Sequence, residues 1–275
     1  MASPCEILVN TDDRALAEEI GRVAQAEALR IEHKYSRYRD DSELTRINSA
    51  QGRPVTVDAE TALLLNFAQQ CYELSDGLFD ITSGILRRVW KFDGSERLPE
   101  AAAVAALLPS IGFKRLSWQA PTLTLPAGME LDLGGIGKEY AVDRVLGLLA
   151  SRFDLPVLVN FGGDLCANRA PAGQLWQVGI ERPDAIENAA LVLELAAGAL
   201  ATSGDARRFL WRDGRRYSHI LNPLTGWPVA AAPRSVTVAA GTCMEAGMLA
   251  TFSLLQGAAA DEFLEAAGVR YWCLR

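Results

Sequence analysis

Histidine is scarce in this chain of 275 residues. Only His33 and His219 occur, which all but removes a histidine-built zinc site from consideration. A C-x-x-C pair is missing too. The five cysteines, Cys5, Cys71, Cys166, Cys243 and Cys273, are odd in number and far apart, so they read as reduced, mostly buried thiols. Basic residues are in the minority, 27 against 34 acidic, for a net charge of −7. A protein held to nucleic acid through phosphate contacts would carry the opposite balance. No apolar run approaches the length of a membrane span, so no membrane insertion is expected. The opening MASPCEILVNTDD lacks the basic segment and apolar core of a secretory signal, and the expected location is cytoplasmic. Repeats, linkers and sharp composition shifts are absent as well. With 49% hydrophobic residues the chain reads as one globular unit over residues 1–275.

Glycine turns between apolar strands are what the chain does have. In LDLGGIGKEYAVD, residues 131–143, Met129, Leu131 and Leu133 alternate with Glu130 and Asp132, the period of a half-buried strand. Gly134, Gly135 and Gly137 follow. From Lys138 the period changes, with Val142, Val145, Leu146 and Leu149 on one helical face. Such a turn presents free backbone N–H groups to an anion, and Lys138 adds a point charge; an ordinary strand-to-helix connection would look the same. The dinucleotide fingerprint fails here, because Tyr140 stands where its third glycine belongs, and a P-loop fails because Glu139 follows Gly-Lys.

Elsewhere, residues 4–10 read as a strand, and Asp12 and Asp13 start a helix through Leu16, Ile20, Val23, Ala24 and Ile31, with Glu27 interrupting its face. YSRYRDDSELTRIN, residues 35–48, is either a solvated face or a platform on which a flat ring stacks. Asp58 caps a helix from Ala59 to Leu74 with Leu63, Leu64, Phe67 and Cys71 inward, ended by Gly77. In GLFDIT, residues 77–82, Asp80 is either a cap or a carboxylate facing a site. Residues 83–110 look like a helical surface insertion. Two strands follow through Leu116, Trp118, Leu123 and Leu125. Val157 to Val159 is a buried strand ending in NFGGDL, where Asp164 caps the turn or faces a ligand. Trp176 to Ile180 and Leu191 to Leu195 are strands, Thr202, Ser203 and Gly204 a third polar turn, and SHILNPLTG (218–226) a strand running into a turn closed by Gly226. SVTV (235–238) is a strand, and Thr242 to Leu255 a helix opened by a Thr242-x-x-Glu245 capping box. Strands and helices alternate irregularly, which favours an α+β fold.

Seven segments, YSRYRDDSELTRIN, GLFDIT, LDLGGIGKEYAVD, VNFGGDL, LATSGD, HILNPLTG and AGTCMEAGMLATFSLLQG, fall in one order and together resemble the ApbE-like FAD:protein FMN transferases. The resemblance implies a single T-fold-like α+β domain with mixed or antiparallel sheets flanked by helices. It implies bound FAD and Mg²⁺, and transfer of FMN to a threonine or serine of an acceptor flavoprotein. Carried over residue by residue, Tyr38 and Met1 stand beside the flavin. Leu78, Phe79, Asp80, Asp132, Lys138 and Ile220 match FAD-contacting positions. The Gly135 carbonyl and the Thr251 hydroxyl match metal ligands. Asp132 and Asp164 are the carboxylates available as a base for the acceptor hydroxyl.

The chain departs from the family pattern at three of these places. The family's last helix carries an aspartate four residues before its threonine, on the same face; here that position is Gly247. Asn222 replaces the aspartate of the HIxDP pattern, and Glu139 replaces the glycine after the lysine. Read from sequence, the metal site has lost its main negative ligand. An FAD-binding protein without transferase activity and an FAD pyrophosphatase therefore stand as alternative expectations.

Overall fold

The computed structural model describes residues 3–275, with backbone alone at 186 and 187. In chain order its strands are β1 (Cys5–Val9), β2 (Pro54–Thr56), β3 (Ser117–Gln119), β4 (Thr122–Thr124), β5 (Val157–Phe161), β6 (Asp164–Ala167) and β7 (Trp176–Arg182), then β8 (Ala185–Leu195), β9 (Gly198–Gly204), β10 (Phe209–Arg212), β11 (Arg215–Ser218), β12 (Ser235–Ala240) and β13 (Arg270–Leu274). The α-helices are α1 (Arg14–Tyr35), α2 (Glu43–Asn48), α3 (Ala59–Leu74), α4 (Ala101–Leu107), α5 (Gly137–Arg152), α6 (Cys243–Leu255) and α7 (Ala260–Ala267).

β5 shows why the main sheet forms. It is apolar at successive positions because both of its faces are covered. Val157, Val159 and Phe161 join the main core with α1, α3 and α5, while Leu158 points to the other side with Leu165 and Leu200. There Trp176, Val178, Leu193 and Leu195 of the β7–β8 ribbon cover it. The sheet runs β1-β5-β6-β9-β12-β13 with every neighbouring pair antiparallel. On the helical face α5 lies over β5 and β6, α6 over β9 and β12, and α1 packs on α5. Helices and antiparallel sheets share one domain, the α+β arrangement expected.

Helix starts follow the short polar residues. Asp13, Ser42 and Asp58 accept the N–H groups of Leu16, Thr45 and Thr61. Gly77, at φ +82°, follows α3 in the left-handed region.

Four expectations change. Met129 to Leu133 alternates in burial as a strand would, but joins no ladder. The Asn48 side chain stands in for a neighbouring strand: its Nδ2 donates to the Leu131 carbonyl at 3.0 Å, and its Oδ1 accepts the Leu131 N–H at 2.7 Å. The Asp132 N–H goes to the Ile81 carbonyl. Thr202 to Gly204 is no turn but the end of β9, paired with β12 beyond the point where the β6 ladder stops. Glycine is needed at 204, since a Cβ there would lie 2.5 Å from the Arg234 carbonyl. Leu63 is exposed, and Thr61, Leu64, Leu65, Ala68 and Cys71 form the buried face of α3 instead. The strand before HILNPLTG ends at Ser218. The turn after it is held by the Asn222 and Gly226 N–H groups and by the Trp90 indole, which donates to the Gly226 carbonyl. Trp90 belongs to a cluster in which Leu86 and Val104 from the 83–110 stretch pack with Leu210 of β10.

Candidate active site

The turn before α5 is built from both sides. The Asp132 Oδ1 accepts the Gly134 N–H at 2.9 Å, and its Oδ2 pairs with the Arg37 guanidinium. Arg37 in turn donates to the Tyr38 hydroxyl at 2.9 Å and lies 5.0 Å from that ring's centroid. Tyr38 is 79% exposed, so the ring is held beside Asp132 with a face available to a ligand. Phe79 is buried beneath: a Cβ on Gly135 would meet its ring at 3.1 Å, so the glycine lets the turn lie flat on the aromatic. Ile136, the cap residue of α5, makes no side-chain capping bond, and the Gly137 N–H goes to the Leu133 carbonyl at 2.7 Å instead.

Behind this turn runs a part-buried polar seam. Lys138 Nζ sits 2.5 Å from Asp164 Oδ2, and Asp164 Oδ1 accepts the Thr202 N–H at 2.9 Å. The Ser203 and Thr251 hydroxyls are 2.9 Å apart on the helical face, while Thr202 and Thr237, joined at 2.7 Å, lie on the opposite face of the sheet. Burial works against the Lys138 charge, but Asp164 and Glu139 outweigh it and raise its pKa. A Cβ on Gly162, at φ +64°, would come within 3.9 Å of Lys138 Nζ, so the second glycine turn borders the same ammonium. Glu139, in the first turn of α5, is 8% exposed, and its Oε2 has no hydrogen-bond partner among the described residues. Burial first, and then the Asp164 charge, push its carboxyl above the usual range; Lys138 opposes the shift. Opposite it on α6 is Gly247, where an added Cβ would meet Glu139 Cγ at 2.6 Å and Oε1 at 3.2 Å.

Lys138, Asp164 and Thr251 thus belong to one seam, with Asp132 and Tyr38 on the turn at its mouth. Other expected residues also have structural roles. Asp80 spends Oδ1 on the Thr82 N–H and hydroxyl and Oδ2 on the Phe113 N–H, the capping arrangement. Leu78 and Ile220 are half-buried against the core. Met1 lies outside the described residues.

Asp143 went unnoticed in the sequence. Its two oxygens take the Cys243 and Met244 N–H groups at 2.7 and 2.9 Å, tying the start of α6 to α5. Its place at the end of the LDLGGIGKEYAVD segment was the available signal. Glu139 was noticed only as a departure. Among the described residues no three His, Cys, Asp or Glu side chains gather as a metal cluster, so a cation here would rely on hydroxyl and carbonyl oxygens as well. Two clefts lie elsewhere: one of about 780 Å³ beside Arg30, Lys34 and Asp58, and one of about 520 Å³ lined by Leu63, Phe67, Met244 and Met248. Neither includes Asp132, Lys138, Asp164 or Thr251, and the 520 Å³ groove is largely apolar.

Known proteins align with this arrangement from end to end. The FAD:protein FMN transferase of Vibrio cholerae is 32% identical over 256 residues, covering 90% of this chain and 75% of the relative. That of Treponema pallidum is 33% identical over 264 residues, covering 88% and 72%. Among solved structures, the ApbE protein of Thermotoga maritima superposes with a TM-score of 0.88 at 29% identity, over 98% of this chain and 90% of that one. The apo form of the flavinyl transferase ApbE of Pseudomonas stutzeri gives 0.84 at 28% identity, over 99% and 92%. The model of the ApbE family matches residues 1–272, and with the seam formed from the same segments that carry the resemblance, the chain belongs to the ApbE family.

Proposed function

We propose that this protein is an FAD:protein FMN transferase that moves FMN from FAD onto a threonine or serine hydroxyl of an acceptor flavoprotein. The observation that carries the reading is the meeting of four distant segments, around Lys138, Asp164, Ser203 and Thr251, in one polar seam. It occurs in a chain whose relatives named FAD:protein FMN transferase align over most of its length.

In this reaction the acceptor oxygen attacks the FMN-side phosphorus. The pyrophosphate P–O bond breaks, AMP leaves with the bonding electrons, and the hydroxyl proton passes to a base. Phosphoryl transfer of this kind depends on positioning and charge neutralisation. The Lys138 ammonium and the positive end of the α5 dipole suit the phosphate oxygens, and the exposed Tyr38 ring suits the flavin. Asp132 is the base this reading favours. Both carboxylates are held by one cation and one backbone N–H, but Asp132 is partly exposed at the mouth of the seam and Asp164 is buried. The orphaned Glu139 oxygen makes the seam short of a positive partner, so a divalent cation such as Mg²⁺ fits, with the Thr251 hydroxyl and the Gly135 carbonyl as neutral oxygens to hold it. When bound, it supplies neutralisation of the pyrophosphate charge. Five separated free thiols favour a reducing compartment, and the cytoplasm is the proposed location; among the described residues no helix is long and apolar enough to cross a membrane.

The test incubates protein, FAD, Mg²⁺ and an acceptor flavoprotein and weighs the acceptor by mass spectrometry. A mass gain equal to FMN is expected. No gain at any metal concentration refutes the proposal, and release of FMN and AMP without acceptor identifies a pyrophosphatase instead.

A further inference from the structure

We propose that Glu139 is the carboxylate ligand of the divalent-cation site, reaching from α5 into the space that Gly247 leaves open on α6. The charge balance of the seam comes first. Lys138 is taken by Asp164 at 2.5 Å, and the Glu139 Oε2 is left without a partner in an environment that is more than nine-tenths closed to water. A buried carboxylate in that state is costly unless it is neutralised or meets a cation. Its position in the first turn of α5 helps, since the helix dipole favours an anion there, but that effect is typically no more than about 1 kcal/mol and leaves the oxygen unbonded.

The second observation is Gly247. A glycine inside a helix is unfavourable by about 1 kcal/mol against alanine, so its presence in buried α6 calls for a reason. Any side chain there would run into Glu139, with Cγ 2.6 Å and both Cδ and Oε1 3.2 Å from the first added atom. The glycine and the glutamate are therefore a matched pair: one vacates the volume that the other fills. Thr251 follows Gly247 by one helical turn on the same face, and its hydroxyl already meets Ser203. A carboxylate arriving at position 247 from α5 faces that threonine much as one carried by α6 would. Asp164 stays committed to Lys138 and the Thr202 N–H, so Glu139 is the carboxylate left free for a cation. A carboxylate with hydroxyl and carbonyl oxygens suits a hard cation such as Mg²⁺ or Mn²⁺. The missing aspartate at 247 is then a relocation of charge and not its loss.

The inference rests on the transferase reading for what the cation does, and stands apart from it on whether the cation is bound. The experiment measures Mn²⁺ binding to the full chain by electron paramagnetic resonance, with and without FAD, alongside thermal unfolding. Wild type is expected to bind one Mn²⁺. Glu139→Gln should fold about as stably without metal, because the amide keeps the size of the buried carboxyl, yet bind Mn²⁺ about tenfold or more weakly. The single change Gly247→Asp should lower the melting temperature through its collision with Glu139. The exchange Glu139→Gly with Gly247→Asp should relieve that collision and recover Mn²⁺ binding. Wild-type affinity in Glu139→Gln, or no Mn²⁺ binding by wild type in either condition, overturns the proposal. Mn²⁺ bound through Glu139 with no FMN transfer leaves the cation site standing and removes the transferase reading. Transfer that persists in Glu139→Gln with unchanged metal dependence does the reverse.

Discussion

Asp164→Asn separates two jobs that one carboxylate can do. If Asp164 holds Lys138 in place, the amide keeps its size and its acceptor for the Thr202 N–H but gives up the ionic hold at 2.5 Å. Removing one partner of a buried ion pair typically costs about 3–5 kcal/mol. Two features of the seam reduce that. The Lys138 side chain is 30% exposed, so water takes up part of its charge, and Glu139 loses a like-charged neighbour. The expected net loss is therefore about 2 kcal/mol, read as a lower urea midpoint with an unchanged denaturant slope. In the transfer assay the KM for FAD should rise, because a loosened Lys138 no longer meets the phosphates in one position. The pH dependence of kcat should keep its shape, because the proton acceptor has not been touched. The opposite pattern refutes the reasoning: a pH–rate profile that loses its ascending limb, with KM and stability unaltered, would make Asp164 the base.

Glu60→Gln tests the ionic knot behind the site. The Glu60 carboxylate takes hydrogen bonds from Arg30 of α1 and Tyr140 of α5, and from Lys34 of α1 at 2.7 Å. Those bonds, with Arg30 first, hold its pKa well below the ordinary 4.5. A carboxylate depressed in this way contributes stability above about pH 4.5 that is lost as the pH falls through and below that value. The variant should be less stable by about 2 kcal/mol at pH 7, since Arg30 and Lys34 keep Glu27 and Asp58 as partners. The difference should narrow in urea titrations below pH 4, and a gap that stays constant from pH 7 to pH 3 would disprove the linkage. Tyr38→Ala, at a ring 79% exposed, should alter folding stability by less than about 0.5 kcal/mol while weakening FAD binding about tenfold; unchanged affinity in a fluorescence titration would remove Tyr38 from the flavin platform.

Much of the scaffold was legible because it obeys local rules. Asp13 and Asp58 cap their helices as short acceptors do, and the period change at Lys138 marks the start of α5 to within a residue. Where reading failed, the determining partner lay far along the chain. Met129 to Leu133 has the alternation of a strand because one side faces the core, but only Asn48, 83 residues from Leu131, decides that a side-chain amide replaces the ladder. Thr202 to Gly204 has the composition of a turn, and only the pairing of β9 with β12 and the contact of Ser203 with Thr251 of α6 show why a glycine and a serine sit inside a sheet.

Family membership, the helix starts and the residues of the glycine turn were determined by the sequence alone, since motif order and capping chemistry are local and survive without coordinates. The sequence also announced that an aspartate was missing at position 247 and that a glutamate stood unexpectedly at 139. It had no means of joining them, because the two positions are on different helices more than a hundred residues apart. Only the packing of α5 against α6 puts the Glu139 carboxylate where a side chain on Gly247 would lie, so only the tertiary structure turns two separate departures into one exchange of charge.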